Sequence, residues 1–110
     1  DLVMDVRFLP NPFYIEDLRP LTGDDKPVRD YVLNSEATTQ FLAKYEDLLK
    51  YILPHYIKEG KTHLVIGIGC TGGQHRSVTI ANELCRFLEQ ENYQVSVQHR
   101  DTQRNLRGGA

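Results

Sequence analysis

A glycine-rich segment that follows an apolar run carries the side chains best suited to chemistry in this chain. Residues 64–77 read LVIGIGCTGGQHRS. The apolar part favours a buried strand, and the apolar periodicity after His75 favours a helix. The glycines let the backbone turn with its N–H groups exposed. Because a helix N-terminus attracts anions and Arg76 adds a bidentate positive charge, the segment predicts an anion-binding loop suited to phosphate.

The same segment fits the phosphate loop of cysteine-dependent phosphatases. Five residues separate Cys70 from Arg76, and Ser77 follows, which is the Cys-x5-Arg-Ser pattern in which a thiolate attacks phosphorus. A helix N-terminus and a nearby cation both lower the pKa of a thiol. Against this interpretation, Gly69 stands where those enzymes have histidine, and no Asp is obviously placed as a general acid. A phosphatase that uses Cys70 and Arg76 therefore stays open as an alternative to a binding loop.

Other nucleotide-binding motifs fit the chain less well. Residues 67–72 form a G-x-G-x-x-G pattern after a predicted strand, which is the dinucleotide fingerprint. The next predicted strand ends in His99 and Arg100, where an acidic ribose ligand is expected, and three strands are few for a dinucleotide crevice. A Walker A loop is excluded because Gln74 occupies the position of its lysine. His99-Arg100-Asp101 matches part of a kinase catalytic loop, but the other kinase motifs are missing from the sequence.

The elements that must position this loop follow from hydrophobic periodicity. The pattern predicts an α/β fold with a small, mostly parallel three-stranded sheet, the order β-α-α-β-α-β, and helices packed on the sheet. Ser35 is expected to cap a long helix that Pro54 kinks or ends, with Gly60 as a stop signal. The predicted strands are 2–8, 62–69 and 95–98, and the other predicted helices are 27–33 and the segment that follows His75 and ends at Asn92.

Three arginines fall at the carboxyl ends of the predicted strands. Arg7 lies near the end of the first strand, Arg76 follows the second, and Arg100 follows the third next to His99. Ligands of open parallel sheets bind outside these ends, since loops and helix N-termini converge there. The sequence therefore predicts a cationic edge that binds an anion, although Arg7 could instead pair with Asp5.

Length, composition and charge limit the classes of protein. The 110 residues, 40% hydrophobic and 25% charged, predict one globular domain over 1–110. Two cysteines and the lack of an apolar run of about 20 residues favour a reducing cytoplasmic location and no membrane span. The net charge of -2 argues against a protein-wide nucleic-acid surface. We expect no metal ion and no cofactor in this domain. Because the chain opens at Asp1 within a strand-like pattern, we expect it to be part of a longer protein.

Several blocks of residues, taken together and in order, resemble one known family. They are DVRFLPNP at 5–12, LRPLTG at 18–23, GCTGGQHRS at 69–77 and HRD at 99–101. The chain is similar, over nearly its whole length, to the C-terminal domain of the RapZ/YvcJ family. In that family the domain follows an N-terminal P-loop nucleotide-binding domain, which is absent from this sequence.

The resemblance implies a regulatory domain that binds glucosamine-6-phosphate and is not an enzyme. Enterobacterial members also bind small RNAs, deliver them to an endoribonuclease and form homo-oligomers; they have histidine where this chain has Phe13. By matching position, the implied phosphate-binding residues are Cys70, Thr71, Gly72, Gly73, His75, Arg76 and Ser77. Together with the strand ends, the resemblance gives Arg7, Asn11, Thr22, His99 and Arg100 as further candidate ligand contacts. The candidate RNA contacts are Arg100, Arg104 and Arg107.

Overall fold

The computed structural model describes residues 1–70 and 75–99, which fold in the order β1–α1–α2–β2–α3. Strands β1 (Leu2–Asp5) and β2 (Ile66–Gly69) pair in parallel, with Asp5 opposite Gly69. The helices are α1 (Lys26–Leu33), α2 (Glu36–Lys58) and α3 (Arg76–Gln90), and a short 3-10 helix covers Pro12–Tyr14. The prediction of an α/β fold with a small parallel sheet is confirmed.

The prediction of a third strand at 95–98 is wrong for the part of the chain that the structure describes. The sheet there has two strands, and the order of elements ends at α3. Burial does alternate after α3, since Tyr93 and Val95 are half-buried whereas Gln94 and Ser96 are exposed. However, residues 92–99 do not join the described two-stranded sheet. Together with residues 61–70, they line a cleft of about 1120 Å³. Alternation reports which side of a segment faces the core, and it does not determine which strand that segment pairs with.

Strand β1 is shorter than the alternation of its side chains predicts. The Oδ1 atom of Asp5 accepts a hydrogen bond from the main-chain N–H of Arg7 over 2.9 Å. A short polar side chain that binds the backbone two residues later forms a local turn, which competes with strand pairing. The strand therefore ends at Asp5, and the chain turns toward the core, where Val6 and Leu9 are buried.

Helix α2 continues through Pro54, where the sequence predicts a kink or an end. Proline removes one helical hydrogen bond. Leu49 and Leu53 lie on the buried side of α2, and their packing stabilises the helix across this position. The helix ends at Lys58, and Gly60 follows with a φ of +89° that favours glycine.

The core forms where the helices pack against the sheet and against the segment that follows β1. This packing fixes the first turn of α3 beside the strand ends. The buried residues of this core are Val6, Leu9, Val28, Val32, Tyr45, Leu49, Leu53, Ile80, Leu84 and Leu88. Within residues 1–70 and 75–99, none of the helices combines the length and the apolar character needed to cross a membrane.

Candidate anion-binding site

The N-terminus of α3 lies beside the carboxyl ends of both strands. The main-chain N–H of Ser77 donates to the Sγ of Cys70 over 3.3 Å, which places the residue after β2 against the first turn of α3. The main-chain N–H of Val6 donates to the carbonyl of Gly69 over 2.8 Å, so the chain leaving β1 runs along the same edge. The structure thus brings Cys70 and Ser77 together at the edge where ligands of parallel sheets bind.

Arg76, the first residue of α3, is buried although it carries a positive charge. The residue is 3% exposed. Its Nη1 donates to the main-chain carbonyls of Arg7 and Leu9, over 3.2 Å in the case of Leu9. The Nε atom is buried and has no hydrogen-bond partner among the described residues. Nor does any described carboxylate lie within 4.0 Å of this guanidinium. Among the described residues, the arrangement leaves a buried N–H donor without an acceptor and a charge without a carboxylate at ion-pair distance, both of which an oxyanion could supply.

His75 anchors the loop before α1 to the start of α3. The residue is buried, and its Nε2 lies 3.2 Å from the carbonyl oxygen of Arg19. Because a carbonyl oxygen only accepts hydrogen bonds, Nε2 carries the proton and donates it. This nitrogen of His75 is therefore engaged in holding the loop.

The loop before α1 also packs directly on the first two turns of α3. A Cβ atom on Gly23 would lie 2.5 Å from the carbonyl oxygen of His75, so only glycine fits there. The Oγ1 of Thr79 donates to the carbonyl of Gly23 over 3.4 Å, and the Nδ2 of Asn82 donates to Asp24 Oδ1 over 2.8 Å. Neither Asp24 nor Asn82 is among the ligand contacts that the sequence predicts. The signal that could have found Asn82 is the spacing of polar residues four and seven positions after His75, which share one helix face.

Thr22 and His99, two of the predicted ligand-binding residues, lie beside the hydrogen bond between Asp24 and Asn82. The Nε2 of His99 lies 3.0 Å from the Oδ1 of Asn82 and 4.0 Å from the Oδ1 of Asp24. The Oγ1 of Thr22 accepts from the main-chain N–H of Asp24 over 3.3 Å. Because Thr22 and His99 both lie close to Asp24, the structure places them on the same side of α3.

Arg7 and Asn11 make local contacts. The Nη2 of Arg7 lies 2.6 Å from the Oδ2 of Asp5 in an exposed ion pair. Hydrogen bonds from Arg7 and its charge hold the pKa of Asp5 below the ordinary value. The Oδ1 of Asn11 accepts from the main-chain N–H of Phe13 over 3.1 Å and caps the 3-10 helix. Since Asp5 offsets the charge of Arg7, this edge of the sheet is less cationic than the strand-end arginines alone predict.

The remaining predicted residues lie outside the part of the chain that the structure describes. They are Thr71, Gly72 and Gly73 in the loop, and Arg100, Arg104 and Arg107 near the end of the chain. In residues 1–70 and 75–99, no group of three or more His, Cys, Asp and Glu side chains is placed to hold a metal ion.

Comparison with known proteins gives one consistent set of similarities. A sequence model described as the RapZ C-terminal domain matches residues 1–103. A nucleotide-binding protein of Heliobacterium modesticaldum is 61% identical over 109 residues, which cover 99% of this chain and 36% of that protein. One from Carboxydothermus hydrogenoformans is 61% identical over 105 residues, covering 96% of this chain and 36% of the relative. One from Thermoanaerobacter sp. strain X514 is 62% identical over 101 residues, or 92% of this chain and 36% of the relative. The chain thus spans 36% of the length of these relatives.

Proposed function

Because the chain belongs to the RapZ C-terminal domain family, we propose that it is a regulatory domain that binds a phosphorylated amino sugar such as glucosamine 6-phosphate. The phosphate would bind at the N-terminus of α3, and the protein would sense the ligand without transforming it. The proposed phosphate contacts are Cys70, Thr71, Gly72, Gly73, His75, Arg76 and Ser77.

The observation that carries this proposal is the buried charge of Arg76. Removing a guanidinium from water costs several kcal/mol unless a counter-charge and hydrogen bonds compensate it. The two main-chain carbonyls that bind Nη1 compensate it in part, whereas Nε stays without a partner among the described residues. A phosphate oxygen at Nε would supply both the missing acceptor and the missing negative charge.

The start of α3 adds to the attraction for an anion. The N-cap residue of this helix, His75, makes no side-chain capping hydrogen bond, and the only first-turn N–H that a described side chain accepts is that of Ser77, which donates to Cys70 Sγ. The first turn of a helix has unpaired N–H groups and a partial positive charge of about half a unit, both of which favour phosphate. The polar side chains beside this turn, Thr22 and His99, are our candidates for the sugar hydroxyls, with Asn11 as a third.

The phosphatase alternative has no support from the comparisons, since neither the matched family nor the relatives are named for such an activity. The two functions differ at Cys70. If Cys70 lines a binding loop, a Cys70→Ser variant keeps an acceptor for the N–H of Ser77 and changes ligand affinity only modestly. If Cys70 is a nucleophile, the unmodified chain hydrolyses an aryl phosphate and the variant does not.

We further propose that the domain, 1–110, acts within a longer cytoplasmic protein, since the relatives it matches are named nucleotide-binding proteins and it spans 36% of their length. Small RNA, bound through Arg100, Arg104 and Arg107, and a second copy of the protein are the proposed partners. RNA binding through these arginines would weaken steeply with salt and be lost when all three are replaced by glutamine.

The experiment that tests the proposed function is a thermal-shift series with glucosamine 6-phosphate, glucose 6-phosphate and inorganic phosphate. A ligand at one hundred times its Kd stabilises the fold by about 2.7 kcal/mol, a shift of several degrees for a domain of this size. We expect that shift in the wild type and its loss in Arg76→Lys, which keeps the charge but not the planar fork. Arg86→Lys, on the exposed side of α3, is the matched control. A wild type whose Tm no sugar phosphate changes would refute the proposal.

A further inference from the structure

The cleft of about 1120 Å³ has one wall that belongs to no helix or strand of the described chain. This wall is formed by residues 93–98, which follow α3 and which we call the strap. Residues 61–70 and one side of α3 line the rest of the cleft. The strap is therefore the part of the cleft wall that no sheet pairing and no helix holds in place.

Few contacts hold the strap along its length. Tyr93, Val95 and Val97 are only half-buried, and the residues between them are exposed. None of the main-chain groups of residues 94–98 forms a hydrogen bond with another described residue. A segment with no buried side chain and an unpaired main chain has low local stability, so it can open while the rest of the domain stays folded.

The strap starts from a fixed point at the end of α3. Asn92 has a φ of +70°, a left-handed conformation that asparagine tolerates better than most residues. The main-chain N–H of Asn92 donates to the carbonyl of Glu89, and that of Tyr93 donates to the carbonyl of Leu88, each over 3.0 Å. This pair of bonds is a Schellman motif, which holds the start of the strap against the last turn of the helix.

A chain of polar side chains, which we call the latch, holds the other end of the strap. It consists of Asp24, Asn82 and His99, the residue that follows the strap. Because an ionised carboxylate only accepts hydrogen bonds, the Nδ2 of Asn82 donates to the Oδ1 of Asp24, over 2.8 Å. This orientation leaves the Oδ1 of Asn82 to accept from the Nε2 of His99, 3.0 Å away. Hydrogen bonds that run in one direction strengthen each other.

The loop side of the latch is fixed to α3. Asp24 follows Gly23, whose carbonyl accepts from the Oγ1 of Thr79 over 3.4 Å. A Cβ atom on Gly23 would lie 2.5 Å from the carbonyl oxygen of His75, so the loop cannot move closer to the helix. Since Asn82 is itself part of α3, the side of the latch that moves when it breaks is His99 with the strap.

We propose that the strap opens and closes the cleft about its fixed start at Asn92, and that Asn82 is the positioning residue that holds it closed through His99. The inference goes beyond the proposed function, since the strap needs no ligand to open. When the latch breaks, the strap keeps only its half-buried apolar contacts. Cys85, a half-buried free cysteine of α3 that lines the same cleft, then becomes more accessible to solvent.

The test is the rate at which N-ethylmaleimide labels Cys85, followed by mass spectrometry so that Cys70 is counted separately. We expect Asn82→Ala to be labelled at Cys85 about tenfold faster than the wild type, the range for the loss of one hydrogen bond. Asp24→Asn should act in the same direction, because it removes the charge that orients the amide of Asn82. Asn34→Ala, at an exposed asparagine after α1, is the matched control.

Labelling in low concentrations of urea separates opening of the strap from unfolding of the domain. Opening of a short segment exposes little surface, so the faster labelling of Asn82→Ala should depend only weakly on urea below the unfolding transition. A rate that rises as steeply with urea as global unfolding does would overturn the proposal. So would equal labelling of Cys85 in the wild type, Asn82→Ala and Asp24→Asn, since the latch would then not hold the strap.

Discussion

A Cβ atom on Gly23 would lie 2.6 Å from the main-chain nitrogen of Thr79, so the loop before α1 and the first turn of α3 touch with no room for a side chain. The carbonyl oxygen of His75 would be as close, at 2.5 Å. Both neighbours are backbone atoms of a helix that is packed into the core. The close contact at Gly23 therefore sets how the loop lies against the helix end where we place the phosphate.

Gly23→Ala is expected to lower the free energy of unfolding by about 1–3 kcal/mol, because the added methyl group must displace backbone rather than a flexible side chain. Urea unfolding measures the change. Gly67→Ala is the control, since a Cβ at that strand position would meet its nearest atoms at 3.8 Å, an ordinary contact. Equal stability of the two variants would show that the loop does not press on α3.

Leu49 and Leu48 are neighbours on α2 with opposite environments, which gives a second prediction. Leu49 is 0% exposed and belongs to the core, whereas Leu48 is 45% exposed. Leu49→Ala is expected to destabilise the chain by about 2–5 kcal/mol, the cost of a cavity in a packed core. Leu48→Ala should stay within about 1 kcal/mol. The measurement is chemical unfolding of both variants, and similar losses would mean that α2 is rotated relative to the core.

A third prediction concerns the pH dependence of stability. Burial raises the pKa of Glu46 on α2, and the negative charge of Glu83 on α3 raises it further. Because the folded-state pKa lies above the unfolded one, the wild type is most stable with Glu46 protonated and loses stability as the pH rises through the folded-state pKa. Glu46→Gln should therefore be more stable than the wild type at pH 7, and the difference should shrink below about pH 4.

Unfolding curves at several pH values check this prediction, with Asp47→Asn as the control at the exposed neighbouring position. A Glu46→Gln variant whose advantage is the same at pH 4 and pH 7 would contradict the assignment. That result would mean that the gain comes from packing or helix propensity and not from the charge of Glu46.

Local signals in the sequence predicted the helices well. The Lys26-Pro27 pair marks the start of α1, Ser35 precedes α2, and apolar periodicity after the glycine loop gives α3 from Arg76. Proline at the first turn and an N-cap position act within a few residues, so they are visible in the sequence. Ser35 does occupy the N-cap position of α2, but its side chain does not make the capping hydrogen bond that the sequence predicts. Helix α2 passes Pro54 because packing of distant residues outweighs the local loss of a hydrogen bond.

Features that depend on distant partners could not be predicted from the pattern. The alternation around Val95 indicates one buried side, but the pairing of a strand depends on a partner far along the chain. The sequence also indicated Arg76 as an anion ligand without indicating that its Nη1 binds the carbonyls of Arg7 and Leu9. A guanidinium has five N–H donors, and which of them stay available depends on the tertiary structure.

The Nε–Hε resonance of Arg76 in a ¹H–¹⁵N spectrum, followed during titration with glucosamine 6-phosphate, tests the central claim most directly. Loss of the resonance in Arg76→Lys identifies it, and the resonance of the exposed Arg86 serves as the internal reference. We predict a saturable change at Arg76 and none at Arg86, because a phosphate oxygen supplies the acceptor that Nε lacks among the described residues. An Arg76 resonance that stays unchanged while calorimetry shows the ligand bound would contradict the account.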